Sequence, residues 1–218
     1  MIMNKTLGSL SILIALLSFA SHATSPDEKL SLYRNNIKVW TYKTEQNPAI
    51  QYKAETTFDV PIERAVSLIL DVDRAPKWVP YMGEARILSR DDKKGEYTLY
   101  MVLDFPFPLK DRDVVVKSKL SKASNGVIHI KNTSLSGVYP EQVGRIRIQQ
   151  YVGEWTFQKV ATDKVKVTTS GYADPAGSIP LSFVNMFVEQ QPYQMLMKMK
   201  SELADTSNAN IKLPEMLK

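Results

Sequence analysis

The sequence predicts an α+β domain in which an antiparallel sheet curves around one long C-terminal helix. Three observations carry this. Seven segments between Ala85 and Tyr172 read as strands joined by short turns, and most alternate apolar and polar residues at a period of two. Helix patterns flank the strands rather than alternate with them, which separates α+β from α/β. The last helix pattern, running to about Leu203, is amphipathic and long, so its apolar stripe needs a sheet to cover it.

The elements follow in order. Ser25-Pro26-Asp27-Glu28 reads as a helix start, with Ser25 as cap, Pro26 at the first helical position and Glu28 closing a capping box. That helix is expected to run to about Arg34. Strands are expected at Ile37–Thr44 and Ile50–Phe58. In the second, Tyr52, Ala54, Thr56 and Phe58 alternate with Lys53, Glu55 and Thr57. Pro61 opens a helix to Leu70, and the stretch Ala75–Pro80 breaks it. Strands are then expected at Ala85–Ser89, Tyr97–Leu103, Arg112–Leu120, Val127–Ser134, Arg145–Tyr151, Glu154–Val160 and Val165–Tyr172. Lys93-Lys94-Gly95 and Ser124-Asn125-Gly126 supply hairpin turns. In the closing helix Leu181, Val184, Val188, Met195 and Met199 keep helical spacing, with a kink expected at Pro192.

The N-terminus predicts export. Asn4-Lys5, the apolar run Leu7–Ala20 and the small residues of Ser21-His22-Ala23 form a signal peptide, residues 1–23, cleaved after Ala23. This places the mature protein outside the cytoplasm, in a periplasm. Residues 24–205 are expected to form one domain and residues 206–218 a flexible tail. The chain of 218 residues has no cysteine, which removes disulfides, thiolate nucleophiles and thiolate metal sites. Its net charge of +5 falls to +4 without Lys5, a mild excess that suits anionic lipid surfaces as well as plain solubility. No basic cluster or RNA-binding signature points to nucleic acid. A monomer is expected.

Three motifs carry a family resemblance: Leu109-Lys110-Asp111-Arg112-Asp113-Val114-Val115-Val116, Gly153-Glu154-Trp155-Thr156-Phe157, and Asp174-Pro175-Ala176-Gly177-Ser178-Ile179-Pro180 leading straight into the Met-rich helix. Together they resemble the START (StAR-related lipid transfer) family, as a bacterial exported member. The resemblance spans Leu109 to about Leu203, and the element order extends it to about Pro26. It implies the helix-grip fold and a lipid-sized cavity closed by the last helix.

On that resemblance the ligand-binding candidates are Tyr100, Val102, Arg112, Val116, Trp155, Tyr172, Val184, Phe187, Val188, Gln191 and Met195. Asp174, Pro175, Gly177 and Pro180 would form a gate. Four methionines in one helix suit a wall that adapts to varied acyl chains, and equally an ordinary core stripe. Arg112 reads either as a headgroup contact or as a structural ion pair at a strand mouth. Phe105 and Phe107 flank Pro106 on a loop whose rings either enter a bilayer or pack inward.

Catalysis finds no support in the residues. The mature chain keeps one histidine, His129, alternating with Ile128 and Ile130 and so expected to face away from them. There is no GxSxG, HExxH, phosphate loop or Cys/His cluster, and neither a cofactor nor a metal is expected. The expected function is reversible binding, and transfer, of one hydrophobic or amphipathic lipid, with transient contact to a membrane surface. A polyketide-cyclase-like enzyme on the same fold and a protein-binding accessory module of the cell envelope are the alternatives.

Overall fold

The computed structural model describes residues 27–44, 49–177, 179–205 and 213–217. The expected signal peptide therefore lies outside the described residues, as do Ser25 and Pro26. Ten strands form one curved sheet: β1 (Lys29–Arg34), β2 (Ile37–Tyr42), β3 (Gln51–Phe58), β4 (Met82–Asp91), β5 (Glu96–Leu103), β6 (Arg112–Lys122), β7 (Ile128–Ser134), β8 (Ile146–Arg147), β9 (Tyr151–Ala161) and β10 (Lys164–Ala173). The spatial order is β1-β2-β3-β10-β9-β7-β6-β5-β4, antiparallel throughout, with short β8 pairing parallel to β6.

The helices are α1 (Ile62–Leu70), α2 (Ala75–Trp78), α3 (Leu181–Asn185) and α4 (Gln191–Ala204). A π-helical turn, Met186–Gln190, joins α3 to α4, and Pro192 sits in the first turn of α4. The expected irregularity is thus realised just before the proline. The backbone stays helical through Gln190 and Gln191, so this proline sits inside one continuous helix, and the wider π turn before it accommodates a ring and a missing N–H that a regular α turn would not. Pro61 precedes α1 as expected, and Ile62, Ala65, Val66 and Leu68 form its buried face.

Two local expectations fail. Lys29–Arg34 is an edge strand, not a helix. Asn35 and Asn36 both take positive φ (52° and 60°), which builds the tight two-residue hairpin into β2. This pairing outweighs the capping box. Arg145–Tyr151 is likewise not one strand. Only Ile146–Arg147 pairs, and Tyr151 already belongs to β9.

The core lies between the concave face of the sheet and helices α1, α2 and α4. Phe157, Val167, Leu120, Leu196 and Met199 are at its centre. The described end of the C-terminal tail joins it. Leu217 is 5% exposed and its carbonyl accepts a hydrogen bond from Lys122 Nζ at 2.9 Å. The segment 213–217 is thus packed on the domain, contrary to the expected free tail. Buried Gly95 gives it room, since a Cβ there would lie 2.4 Å from Met216 Sδ.

Candidate ligand site

Alternation assigns the concave face directly. Tyr52, Ala54, Thr56 and Phe58 of β3 share it with Val165, Val167, Thr169 and Gly171 of β10, and with Tyr151, Gly153, Trp155 and Phe157 of β9. Ile128, Ile130, Asn132 and Ser134 of β7, the even-numbered positions of β6 from Arg112 to Leu120, and Tyr97, Leu99, Met101 and Leu103 of β5 complete it.

The two ends of this face differ. Toward the hairpins at 92–95, 123–127 and 162–163, Phe58, Val165, Phe157, Ile128, Leu120 and Tyr97 are all buried beneath α1, the end of α4 and the C-terminal segment. Toward the other end, Tyr52, Tyr151, Trp155, Asn132, Met101 and Leu103 keep accessible surface while facing inward. Above that end run α3 and the π-turn, whose Val184, Phe187 and Val188 are half-buried, and Gln191 at the start of α4. Met195 belongs to the closely packed half, 5% exposed, and so does Val116. Trp155 stands at the boundary.

Polar groups collect at the open half. Gly153 pairs with Gly171 across β9 and β10, so two adjacent positions of the wall have no side chain. Tyrosines lie over them: a Cβ at Gly153 would meet Tyr151 Oη at 2.6 Å, and one at Gly171 would meet Tyr52 Oη at 3.3 Å. Burial raises the pKa of both phenols, and each is moderated by a side-chain hydrogen bond, from Asn132 to Tyr151 and from Thr169 to Tyr52. Trp78 of α2 is 2% exposed and packs edge-on against Trp155, with ring centroids 6.5 Å apart. Its Nε1–H, and Asn132 Oδ1, find no hydrogen-bond partner among the described residues. From sequence Trp78 is one of the candidate cavity aromatics, a core residue unless a ligand partners its polar atom; Asn132 carries no such signal, because nothing local marks an orphaned acceptor.

Arg112 is 2% exposed, and its whole guanidinium goes to backbone carbonyls. Nε donates to Pro175 O at 3.1 Å, one Nη to Ala176 O at 3.2 Å and the other Nη to Lys110 O. Its charge lies 4.4 Å from the centroid of the Phe105 ring. Phe105 in turn stacks on Phe187 at 4.8 Å, and Phe187 meets Tyr81 at 5.5 Å. One arginine therefore ties the segment after β10 to the loop before β6, and that loop to the closing helix. The two rings of this loop part: Phe105 is packed inward and Phe107 is 96% exposed. Asp174 Oδ1 accepts from Ala176 N–H at 2.9 Å, Ala176 and Gly177 take φ of 55° and 70°, and Pro180 caps α3. Of the four gate candidates, Pro175 is thus held directly by Arg112, and Asp174 braces the same turn through Ala176.

Tyr100, Val102 and Tyr172 are corrected in placement. They lie on the convex face, not toward the helix. Tyr100 and Val102 pack with Val115 in a second small cluster under Leu88, Leu135 and Tyr139. Tyr172 alternates with inward-facing Gly171 and pairs with exposed Val152. The runs Tyr97–Leu103 and Val114–Val116 are apolar on both faces, because the segment 135–147 covers this side of the sheet. Asp113, 1% exposed, anchors that cover: Arg147 donates from Nε at 2.8 Å and Nη2 at 3.0 Å, and Tyr100 Oη donates at 3.0 Å. His129 faces away from Ile128 and Ile130, as expected, with Nδ1 2.8 Å from Glu154 Oε1. No group of three His, Cys, Asp or Glu that could hold a metal occurs among the described residues.

A curved antiparallel sheet closed by one long helix, with an accessible inner wall, defines a helix-grip protein. A family model described as polyketide cyclase / dehydrase and lipid transport matches residues 58–200, and the chain belongs to that family. An uncharacterized protein of Pseudomonas aeruginosa is 28% identical over 188 residues, 86% of this chain and 92% of its own length. The phosphatidylcholine transfer protein of Rattus norvegicus is 24% identical over 168 residues, 74% of this chain and 77% of that protein. A crystal structure of a STAR-related lipid transfer protein from Xanthomonas axonopodis superposes with a TM-score of 0.74 at 26% identity, covering 82% of this chain and 99% of that one. The START resemblance read from the three motifs agrees with these relatives.

Proposed function

We propose that this protein binds and transfers one hydrophobic or amphipathic lipid between the open half of the concave face and the helix α3–α4. The observation that supports it most is the contrast along that face: one end is a closed core, while Tyr52, Tyr151, Trp155, Met101 and Leu103 at the other keep inward surface uncovered. Burying an acyl chain there gains about 25 cal/mol per Å2 of apolar surface. The turn Asp174–Pro180 and the first turns of α3 act as the door, with Phe107 at the lip for contact with a membrane surface. The signal-like N-terminus supports export to a periplasm, where a lipid crossing water needs a cover.

The family description also admits a cyclase-like enzyme. On β3, β5, β6, β7, β9 and β10 the inward positions carry no carboxylate and no histidine among the described residues, which favours binding over acid–base chemistry.

Native mass spectrometry of protein purified from its own host tests the proposal: a co-purifying lipid mass is expected. Val188→Trp should fill the space and cut uptake of an acyl-labelled fluorescent lipid from vesicles by about tenfold or more, with the melting temperature nearly kept. No bound lipid and no uptake by the wild-type protein would overturn the reading.

A further inference from the structure

We infer that the inner end of this space selects a neutral, hydroxyl-bearing headgroup, held between the Trp78 indole N–H and the Asn132 side-chain carbonyl. The inference rests on the lipid-binding reading and names the class of lipid.

Buried polar atoms in folded proteins are hydrogen-bonded, and an exception needs an explanation. Here two exceptions border one residue. Trp78 packs against Trp155. Asn132 pairs with Gly153, two positions along the same face of β9, so it is the diagonal neighbour of Trp155. The Asn132 amide group bonds Tyr151, which leaves its Oδ1 as the free atom. The two orphans are opposite in kind. Indole Nε1–H only donates, and an amide oxygen only accepts. A hydroxyl both accepts and donates, so it matches both kinds of orphan. An ether, an ester carbonyl or a hydrocarbon can satisfy at most the donor.

Charge argues the same way. Across the six central strands, Arg112 is the one charged side chain at the open half of the concave face among the described residues; Lys122 and Lys159 share that face only at the opposite, hairpin end. The donors of Arg112 are taken by the carbonyls of Lys110, Pro175 and Ala176. A phosphate or carboxylate placed against this wall would lose its water and meet no free counter-charge there, which is strongly unfavourable. The remaining polar groups, Tyr52, Tyr151 and Thr169, are neutral, and burial keeps both phenols protonated. Long-chain alcohols, diacylglycerols and sterols share the required chemistry.

The test is equilibrium uptake from vesicles of radiolabelled dioleoylglycerol or dioleoylphosphatidylcholine, with oleyl alcohol and oleyl methyl ether as a second pair that differs only in the donated proton. Dioleoylglycerol is expected to be preferred at least tenfold over the phospholipid, and the alcohol over its ether about tenfold. Asn132→Leu should lower dioleoylglycerol uptake by roughly five- to tenfold and leave the ether unmoved, whereas Trp78→Phe removes a donor that the ether oxygen also uses and should lower both. Trp78→Phe keeps the ring against Trp155, so the question survives if Asn132→Leu folds poorly. Equal uptake of the two glycerolipids, with the variants unchanged, would overturn the headgroup assignment and leave lipid binding standing. Failure of the wild-type protein to take up any of the four probes would instead overturn the lipid reading itself, and this inference with it.

Discussion

Asp113→Ala is expected to destabilise the fold by about 3–5 kcal/mol, the cost of breaking a buried ion pair by removing one partner. Arg147 is the reason. Its side chain is 8% exposed, and Asp113 supplies its carboxylate at 2.8 Å. Without that carboxylate the guanidinium keeps only the carbonyls of Tyr139 and Pro140, and Tyr100 Oη loses an acceptor. The cover over Tyr100, Val102 and Val115 then loses its ionic anchor and keeps the backbone bonds of Leu135, Ile146 and Ile148. Urea denaturation measures the effect, and a loss below about 1 kcal/mol would sink the anchoring role. Acid adds a second reading. Burial pushes the Asp113 carboxyl up, but the hydrogen bonds from Arg147 and Tyr100 outweigh it and hold the carboxyl below its usual range. A carboxylate with a lowered folded pKa stabilises above the unfolded value, about 4, and that contribution disappears as pH falls through the folded value. Asp113→Asn should therefore flatten part of the stability loss seen below pH 4.

That anchor was only half legible. Arg112-Asp113 stood out as a charged pair at a strand mouth, and the alternation of β6 correctly put Val114, Val116, Ser118 and Leu120 together. Adjacent residues of a strand point to opposite faces, however, so Arg112 and Asp113 cannot serve one site. Arg112 looks inward to the turn after β10; Asp113 looks outward to the segment 135–147. The same two-face burial misplaced Tyr100 and Val102, since a run such as Tyr97–Leu103 has inward and outward positions of equal apolarity. Tertiary pairing also decided Lys29–Arg34, where a hairpin built on Asn35-Asn36 prevailed over a helix start. What sequence showed well was everything governed by period and punctuation: the strands, Pro61 before α1, the glycine turns at Gly95 and Gly126, and the long closing helix. The pairing of Gly153 with Gly171 and the orphans on Trp78 and Asn132 arise from contacts among distant segments, and no local pattern encodes them.

Arg112→Met is expected to loosen the turn after β10 without unfolding the sheet. Methionine matches the length of the arginine stem and keeps an apolar contact with Phe105. It cannot donate, so the carbonyls of Lys110, Pro175 and Ala176 lose their partner together. Two of these lie in a turn close to the surface, where water replaces the lost bonds once the turn opens. The closed state thus loses about 1–3 kcal/mol relative to the open one, a roughly 5- to 150-fold rise in opening. Amide exchange should quicken by that factor at Ala176, Phe183 and Val184, whose N–H groups bond Asp174 and Pro180 in the closed turn. Core amides of β9 and β10 should change far less. Lipid transfer between vesicles should speed up in parallel if this turn is the door. Arg112→Lys is the companion variant: one ammonium cannot span carbonyls on both sides of the turn, so it should recover only part of the protection. Unchanged exchange at Ala176 and Phe183 in Arg112→Met would show that the guanidinium is passive there. Faster exchange of those amides with an unaltered transfer rate would place the entrance elsewhere along the helix α3–α4.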